Sequence, residues 1–514
     1  MITQIYKFLR WLFFLFFIII SIYASKFYEG STLFFLIYCF LLVIMVFYLT
    51  DKKSSYFEIF LSCYIFLGFW FKYICSLILY DGYVFDSINI KAANIDDVLL
   101  IVIIISSTCI ISSFIYKQLI NNFNNKPSFA LQKSFFEKLY LNNRKLILFS
   151  FMTLVLITGL INIKYGFYQR GFVSLIDFPI FYQNLLKWLM MFGFTTLSCF
   201  FIYVEISNLK KINFFTVLIS FIEIFISYSS MLSRSFVINC ISLIVPIYQK
   251  SLSFKKKIDN FFYLFFLIIL SLTILSIFSV NQIRLIKLDN IKKDWKLIND
   301  INYKHNNLIK DSKNKENLKN NEKKSKIIQD FNFQIKSSDN KKKITSNDVS
   351  GFIIVNRWIG IDSLMLVYFS GKNNFNLFFD ALKEKKISGT KNTFYETTFG
   401  LSEHKINIGT NKNILKGNTL PGFITFLYYT GNLFFVCIML FLIIIIFNYF
   451  EMCIKKISLG NTIFACFISN LIATRLIHFG YAPKDSYLFI LSIIFAVLLM
   501  YILSRYNNHF FNKK

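Results

Sequence analysis

Four arginines stand in short polar breaks between apolar runs: Arg170 in YGFYQRG, Arg234 in SMLSRS, Arg284 in NQIRLIK and Arg357 in VNRWIG. Most of the 56 basic residues are lysine, so arginine at these four places points to a need for its planar fork. That fork grips two phosphate oxygens at once, which a point-charge ammonium does not. As a set the four fit a diphosphate-binding site; the plainer alternative is anchoring to lipid headgroups, for which lysine would serve equally well. A group transfer also needs a base beside the attacking hydroxyl. Asp362, Glu396, Glu403 and His404 are the candidates, because His titrates near neutrality and a desolvated carboxylate rises toward it. Glu403 and His404 are preferred for standing near the apolar re-entry at Thr419–Pro421, although a solvated loop residue is the simpler account of any one of them.

A second group of charges falls inside apolar runs, where an ionised side chain is costly and so a functional candidate by default. Lys72 sits in GFWFKY, Lys187 and Glu223 lie within runs of their own, and Arg475 and His478 end another. Snorkelling toward the interface is the structural alternative, weaker for Lys72 than for Lys187 and Arg475.

The elements that must position these residues follow from hydropathy. The chain has 514 residues, 55% hydrophobic and 19% aromatic, with only five prolines. Its apolar runs recur at lengths of about 17–25 residues, which predicts an all-α polytopic integral membrane protein of about twelve transmembrane helices. The runs lie near Trp11–Ala24, Thr32–Leu49, Phe57–Tyr80, Asp97–Tyr116, Leu146–Ile163, Ile180–Val204, Phe214–Met231, Phe236–Tyr248, Asn260–Val280, Phe423–Phe450, Thr462–His478 and Tyr487–Leu503. The first lacks a small-residue cleavage site and is expected to be retained. Four regions result: an N-terminal membrane block (1–280), a loop start with a Lys/Asn-rich insertion expected to be flexible (281–350), an ordered loop (351–421) and a C-terminal membrane block (422–514). Within the ordered loop, Gly351–Phe369 has near-helical apolar spacing and is expected to lie on the membrane surface or to dip toward it. Thr419 is the expected cap of the tenth run.

The formal charge of +28 suggests nucleic acid at first sight. The lysines instead cluster in alternate short loops, as the positive-inside rule requires, and the long basic insertion lacks the interleaved aromatics that stack bases. The rule places both termini in the cytoplasm and the long interval between the ninth and tenth runs outside. All nine cysteines fall in or beside apolar runs, none at metal-ligand spacing, so neither a metal nor another cofactor is expected.

Taken together, GFWFK, YQRG, MLSR, NRWIG and TLPGFITFLYYTGNLFF resemble the Wzy-type O-antigen and capsular repeat-unit polymerases of bacteria, relatives of the O-antigen ligases. The resemblance covers most of the chain in topology. It implies a GT-C-like architecture in the inner membrane and metal-independent transfer of a glycan from polyprenyl diphosphate to an incoming lipid-linked repeat unit, outside the cytoplasm. It further implies that Arg170, Arg234, Arg284 and Arg357 hold the departing diphosphate and that Glu403 or His404 serves the acceptor hydroxyl. Lys72, Trp358, Tyr428 and Tyr429 would meet substrate, the aromatics by packing on sugar or prenyl groups. The expected partners are the polyprenyl-diphosphate-linked oligosaccharide, membrane lipid and a chain-length regulator protein, with no nucleic acid. An O-antigen ligase, a lipid-linked oligosaccharide flippase and a non-catalytic assembly protein are the competing readings.

Overall fold

The computed structural model describes residues 2–51, 53–79, 95–123, 134–170, 179–209, 212–233, 235–253, 264–284, 286, 358–385, 393–399 and 420–506. Among them, helix is the only regular structure. In chain order the helices are α1 (Ile2–Ala24), α2 (Thr32–Leu49), α3 (Tyr56–Leu79), α4 (Asp96–Phe123), α5 (Phe135–Asn142), α6 (Arg144–Tyr165), α7 (Phe181–Leu209), α8 (Phe214–Ser230), α9 (Phe236–Ser253) and α10 (Leu264–Arg284). After the long interval come α11 (Ile361–Ser370), α12 (Phe375–Leu382), α13 (Phe394–Thr398), α14 (Gly422–Tyr428), α15 (Leu433–Ile457), α16 (Thr462–Ile477) and α17 (Tyr487–Arg505). Nine helices among the described residues are long and apolar enough to cross a membrane, and α8, α9 and α16 are shorter apolar helices. The chain is thus a polytopic helical membrane protein.

Two compact units emerge. One joins Met1–Ser276 to Ile354–Lys514; the other is Ile277–Ile353. Within the first, α16 is the central post, packed against α3, α9 and α15. Ala465, Ser469 and Ala473 recur every fourth residue and are all buried. Small side chains at this spacing let neighbouring helices approach closely where lipid provides no hydrophobic drive.

Polar side chains clamp one end of this unit. Glu451 accepts hydrogen bonds from the Phe57 amide at 2.8 Å and the Ser469 hydroxyl at 2.9 Å, while Glu58 accepts from Asn448 Nδ2 at 2.7 Å. Nearby on the chain's other helices, Arg144 Nε pairs with Glu205 at 2.6 Å, and Tyr140 and Thr216 donate to the same carboxylate. These buried carboxylates are satisfied by structure and are unavailable for chemistry.

The tenth apolar run is not one helix. α14 stops at Tyr428 and α15 starts at Leu433, because Gly431 takes a left-handed φ of 69° and Asn432 caps α15 by accepting from the Phe435 amide at 3.1 Å. Pro421, not Thr419, occupies the cap position of α14, and Thr419 itself lies outside the described residues. α11, the described part of the expected surface helix, packs against α4 and α14 with Ile361, Leu364, Met365 and Val367 buried. It is docked into the bundle rather than laid upon it.

Candidate functional site

Two groupings gather at the end of the first unit opposite the carboxylate clamp. The first begins in α3, whose ladder widens into a π segment over Phe66–Phe71, a distortion frequent at functional sites. Gly68 there meets the chain just before α11: a Cβ on Gly68 would stand 2.1 Å from the Ile359 carbonyl oxygen, and one on Gly360 would stand 2.2 Å from the Gly68 carbonyl oxygen. Only glycine at both places allows this backbone contact. One turn beyond Gly68, Lys72 Nζ lies 2.8 Å from Asp362 Oδ2, with the side chains 1% and 6% exposed. Asp362 Oδ1, also buried, makes no hydrogen bond among the described residues. Ser363 adds bonds to the carbonyls of Gly360 and Pro421, both at 2.8 Å, and so binds α11 to the start of α14.

The second grouping is cationic. Asn162 Nδ2 donates to the carbonyls of Tyr168 and Ser230, both at 3.0 Å, which fastens the α6–α7 turn to the end of α8. The Arg170 amide donates to the Met231 carbonyl at 2.9 Å, and its guanidinium reaches the Ser235 hydroxyl at 3.2 Å. Lys187 Nζ rests over the Tyr168 ring, 4.7 Å from its centroid, a cation–π contact that holds an ammonium in apolar surroundings. Arg475 lies near the C-terminal end of α16. Arg475 makes one long hydrogen bond, to the Tyr481 carbonyl at 3.4 Å, and neither it nor Lys187 forms an ion pair among the described residues.

The last turn of α16 touches both groupings. Beyond Arg475, the Phe479 carbonyl accepts from the Gly422 amide at 3.1 Å, and Ile477 lines a small apolar crevice with Phe69, Ile359 and Pro421. A buried polar path also enters α16 from the bundle: Tyr64 donates to Asn470 Oδ1 at 2.6 Å, Asn470 Nδ2 donates to Asn239 Oδ1 at 3.1 Å, and Tyr64 stands 3.1 Å from the Thr474 hydroxyl.

Against the expected site, the structure divides the residues. Lys72 and Asp362 come together, and Lys187 rests on Tyr168, close to Arg170 in the chain. Arg284 ends α10 and belongs to the second unit, so it is described apart from the others. Arg234, Arg357, Glu403 and His404 lie outside the described residues. Glu396 is a helix cap: its carboxylate accepts from the Thr393 amide at 2.9 Å while the Thr393 hydroxyl accepts from the Glu396 amide, a closed capping box. Tyr428 and Tyr429 sit in the core, Tyr429 1% exposed between Phe399 and Phe426. Trp358 is half-buried beside the Gly68–Gly360 contact. Tyr168 went unremarked in the sequence, although it stands two residues before Arg170 in the same motif.

These features define a polytopic helical membrane protein with a cationic grouping and a buried ion pair at one end. No protein-family model, no curated protein and no solved structure matches the chain.

Proposed function

We propose that this chain polymerises lipid-linked oligosaccharide repeat units, transferring the growing glycan from polyprenyl diphosphate on the extracytoplasmic face of a bacterial inner membrane. In the step, a hydroxyl of the incoming repeat unit attacks the anomeric carbon and the bond to the diphosphate breaks. The polyprenyl diphosphate leaves with the electron pair, and the hydroxyl proton passes to a base, with Glu403, His404 and Asp362 as candidates. Negative charge develops on the leaving diphosphate, so pre-placed cations lower the barrier.

One observation supports the reading: Lys187 rests over Tyr168, in the motif that also holds Arg170, and neither Lys187 nor Arg475 has a carboxylate partner among the described residues. Buried or half-buried cations without counter-ions call for an anionic ligand. Arg234 and Arg357 are assigned to the same diphosphate on the sequence alone.

The test is the surface glycan of a deletion strain, resolved on a gel and complemented with the intact gene. Single repeat units capping the lipid acceptor identify a polymerase. A bare acceptor would overturn that in favour of a ligase or flippase, and an unchanged ladder would remove the chain from glycan assembly.

A further inference from the structure

α12 differs from its neighbours in carrying aromatics on an open flank. Phe375 and Phe379 are four residues apart, hence on one flank, and are 43% and 53% exposed. Phe378 and Ala381 face the protein. Asp380, exposed, stands off that flank and pairs at 3.0 Å with the exposed Lys383 at the end of the helix.

The helix is seated where two membrane helices begin. The rings of Phe375 and Phe378 meet Phe435, in the first turn of α15, at 5.5 and 5.4 Å between centroids. At its far end, the Lys484 amide donates to the Glu384 carbonyl at 3.3 Å, which ties α12 to the turn opening α17. Partial burial raises the half-buried Glu384 carboxyl above its ordinary range, against the pull of backbone amides of Phe394 and Ala482. Both α15 and α17 open with exposed aromatics, Phe434 at 74% and Tyr487 at 55%, and along α15 Ile438 and Leu442 continue the exposed apolar surface. Aromatics gathered at the ends of membrane helices are the mark of the interfacial belt.

We propose that α12 is an interfacial helix whose Phe375 and Phe379 are immersed in the glycerol and upper acyl region of the phospholipid leaflet at which α15 and α17 begin. Asp380 faces the aqueous side, and Lys383, one turn beyond Phe379, extends its ammonium to the same water through its pairing with Asp380. The occupant is lipid because the aromatic flank continues a surface that α15 already presents to the bilayer, and because the exposed Asp380 is set off that flank, as an interfacial helix requires. The proposal is independent of the transfer reaction.

The test places single cysteines at Phe375→Cys, Phe379→Cys, Asn376→Cys and Asp380→Cys in the full chain. In intact membranes they are labelled with a membrane-impermeant maleimide, and the signal of the nine native cysteines, measured on the unsubstituted chain, is subtracted. Maleimide needs the thiolate, so immersed positions should react about tenfold more slowly than Asn376→Cys and Asp380→Cys, and equally fast after denaturation. A bimane label at Phe379→Cys in lipid nanodiscs should then be quenched by shallow doxyl lipids and not by iodide. Equal labelling at all four positions, or protection without doxyl quenching, as a second copy of the chain would give, overturns the proposal.

Discussion

Lys72 Nζ and Asp362 Oδ2 stand 2.8 Å apart with both side chains closed to solvent, so a charge within a membrane helix is neutralised by a residue that returns after the long polar interval. Removing one partner strands the other charge, which costs about 3–5 kcal/mol at a buried pair. Lys72→Met or Asp362→Asn should therefore lower thermal stability sharply in detergent. The double variant Lys72→Met/Asp362→Leu, with no charge left, should recover most of that loss. If the pair also positions substrate, the double variant stays stable yet fails to restore polymer in the deletion strain; restored polymer would make the pair purely structural.

The approach that brings those two residues together rests on glycine. Gly68→Ala sets a methyl 2.1 Å from a backbone oxygen, and a backbone atom cannot swing aside as a side chain would. Forcing the segments apart should cost about 1–3 kcal/mol or more, the range of overpacked interiors. Gly371→Ala is the control: its left-handed φ of 61° is strained for alanine, but a Cβ there meets nothing within 4 Å. Its penalty should be about 1 kcal/mol. Melting temperatures of the two purified variants make the comparison, and equal shifts would refute the steric account.

Glu396 offers a test of structural against catalytic duty. Its carboxylate closes the cap of α13, so Glu396→Gln, which keeps an acceptor, should leave stability within about 0.5 kcal/mol, and Glu396→Ala should lose about 1 kcal/mol. Neither should change polymer length once protein levels are matched. Loss of polymer in a Glu396→Gln variant that folds normally would return this residue to the list of bases.

What the sequence made legible was whatever depends on a local pattern. The apolar runs that became α2, α6 and α15 follow from hydropathy, and Lys72 stood out because charge inside such a run is costly. Two local signals carried information of another kind. Thr393 followed three residues later by Glu396 is the signature of a capping box, and it gives Glu396, one of four residues weighed as a base, a structural role. The Thr430-Gly431-Asn432 sequence encodes the break between α14 and α15, hidden by the apolar residues around it. The pairing of Lys72 with Asp362, and of Lys187 with Tyr168, lay beyond reach because nothing local joins residues so far apart in the chain. Those contacts are set by how helices pack against α16.

The cationic grouping makes the most direct prediction about function. Arg475 and Lys187 both lack an ion-pair partner among the described residues, but they differ in what they could offer a diphosphate: a flat fork with several donors, and a single point charge. Arg475→Lys keeps the charge and removes the fork, so polymer should shorten or vanish while protein level in the membrane stays constant. Lys187→Arg keeps charge and lengthens reach, and should be tolerated better than Lys187→Met. The same logic extends to Arg357→Lys, where sequence alone assigns a phosphate contact. Glycan ladders from the complemented deletion strain, normalised to membrane protein, measure all four. A snorkelling role would give the opposite ordering, since any long cation would then do: Arg475→Lys and Arg357→Lys would produce full-length polymer, and the diphosphate assignment would fall.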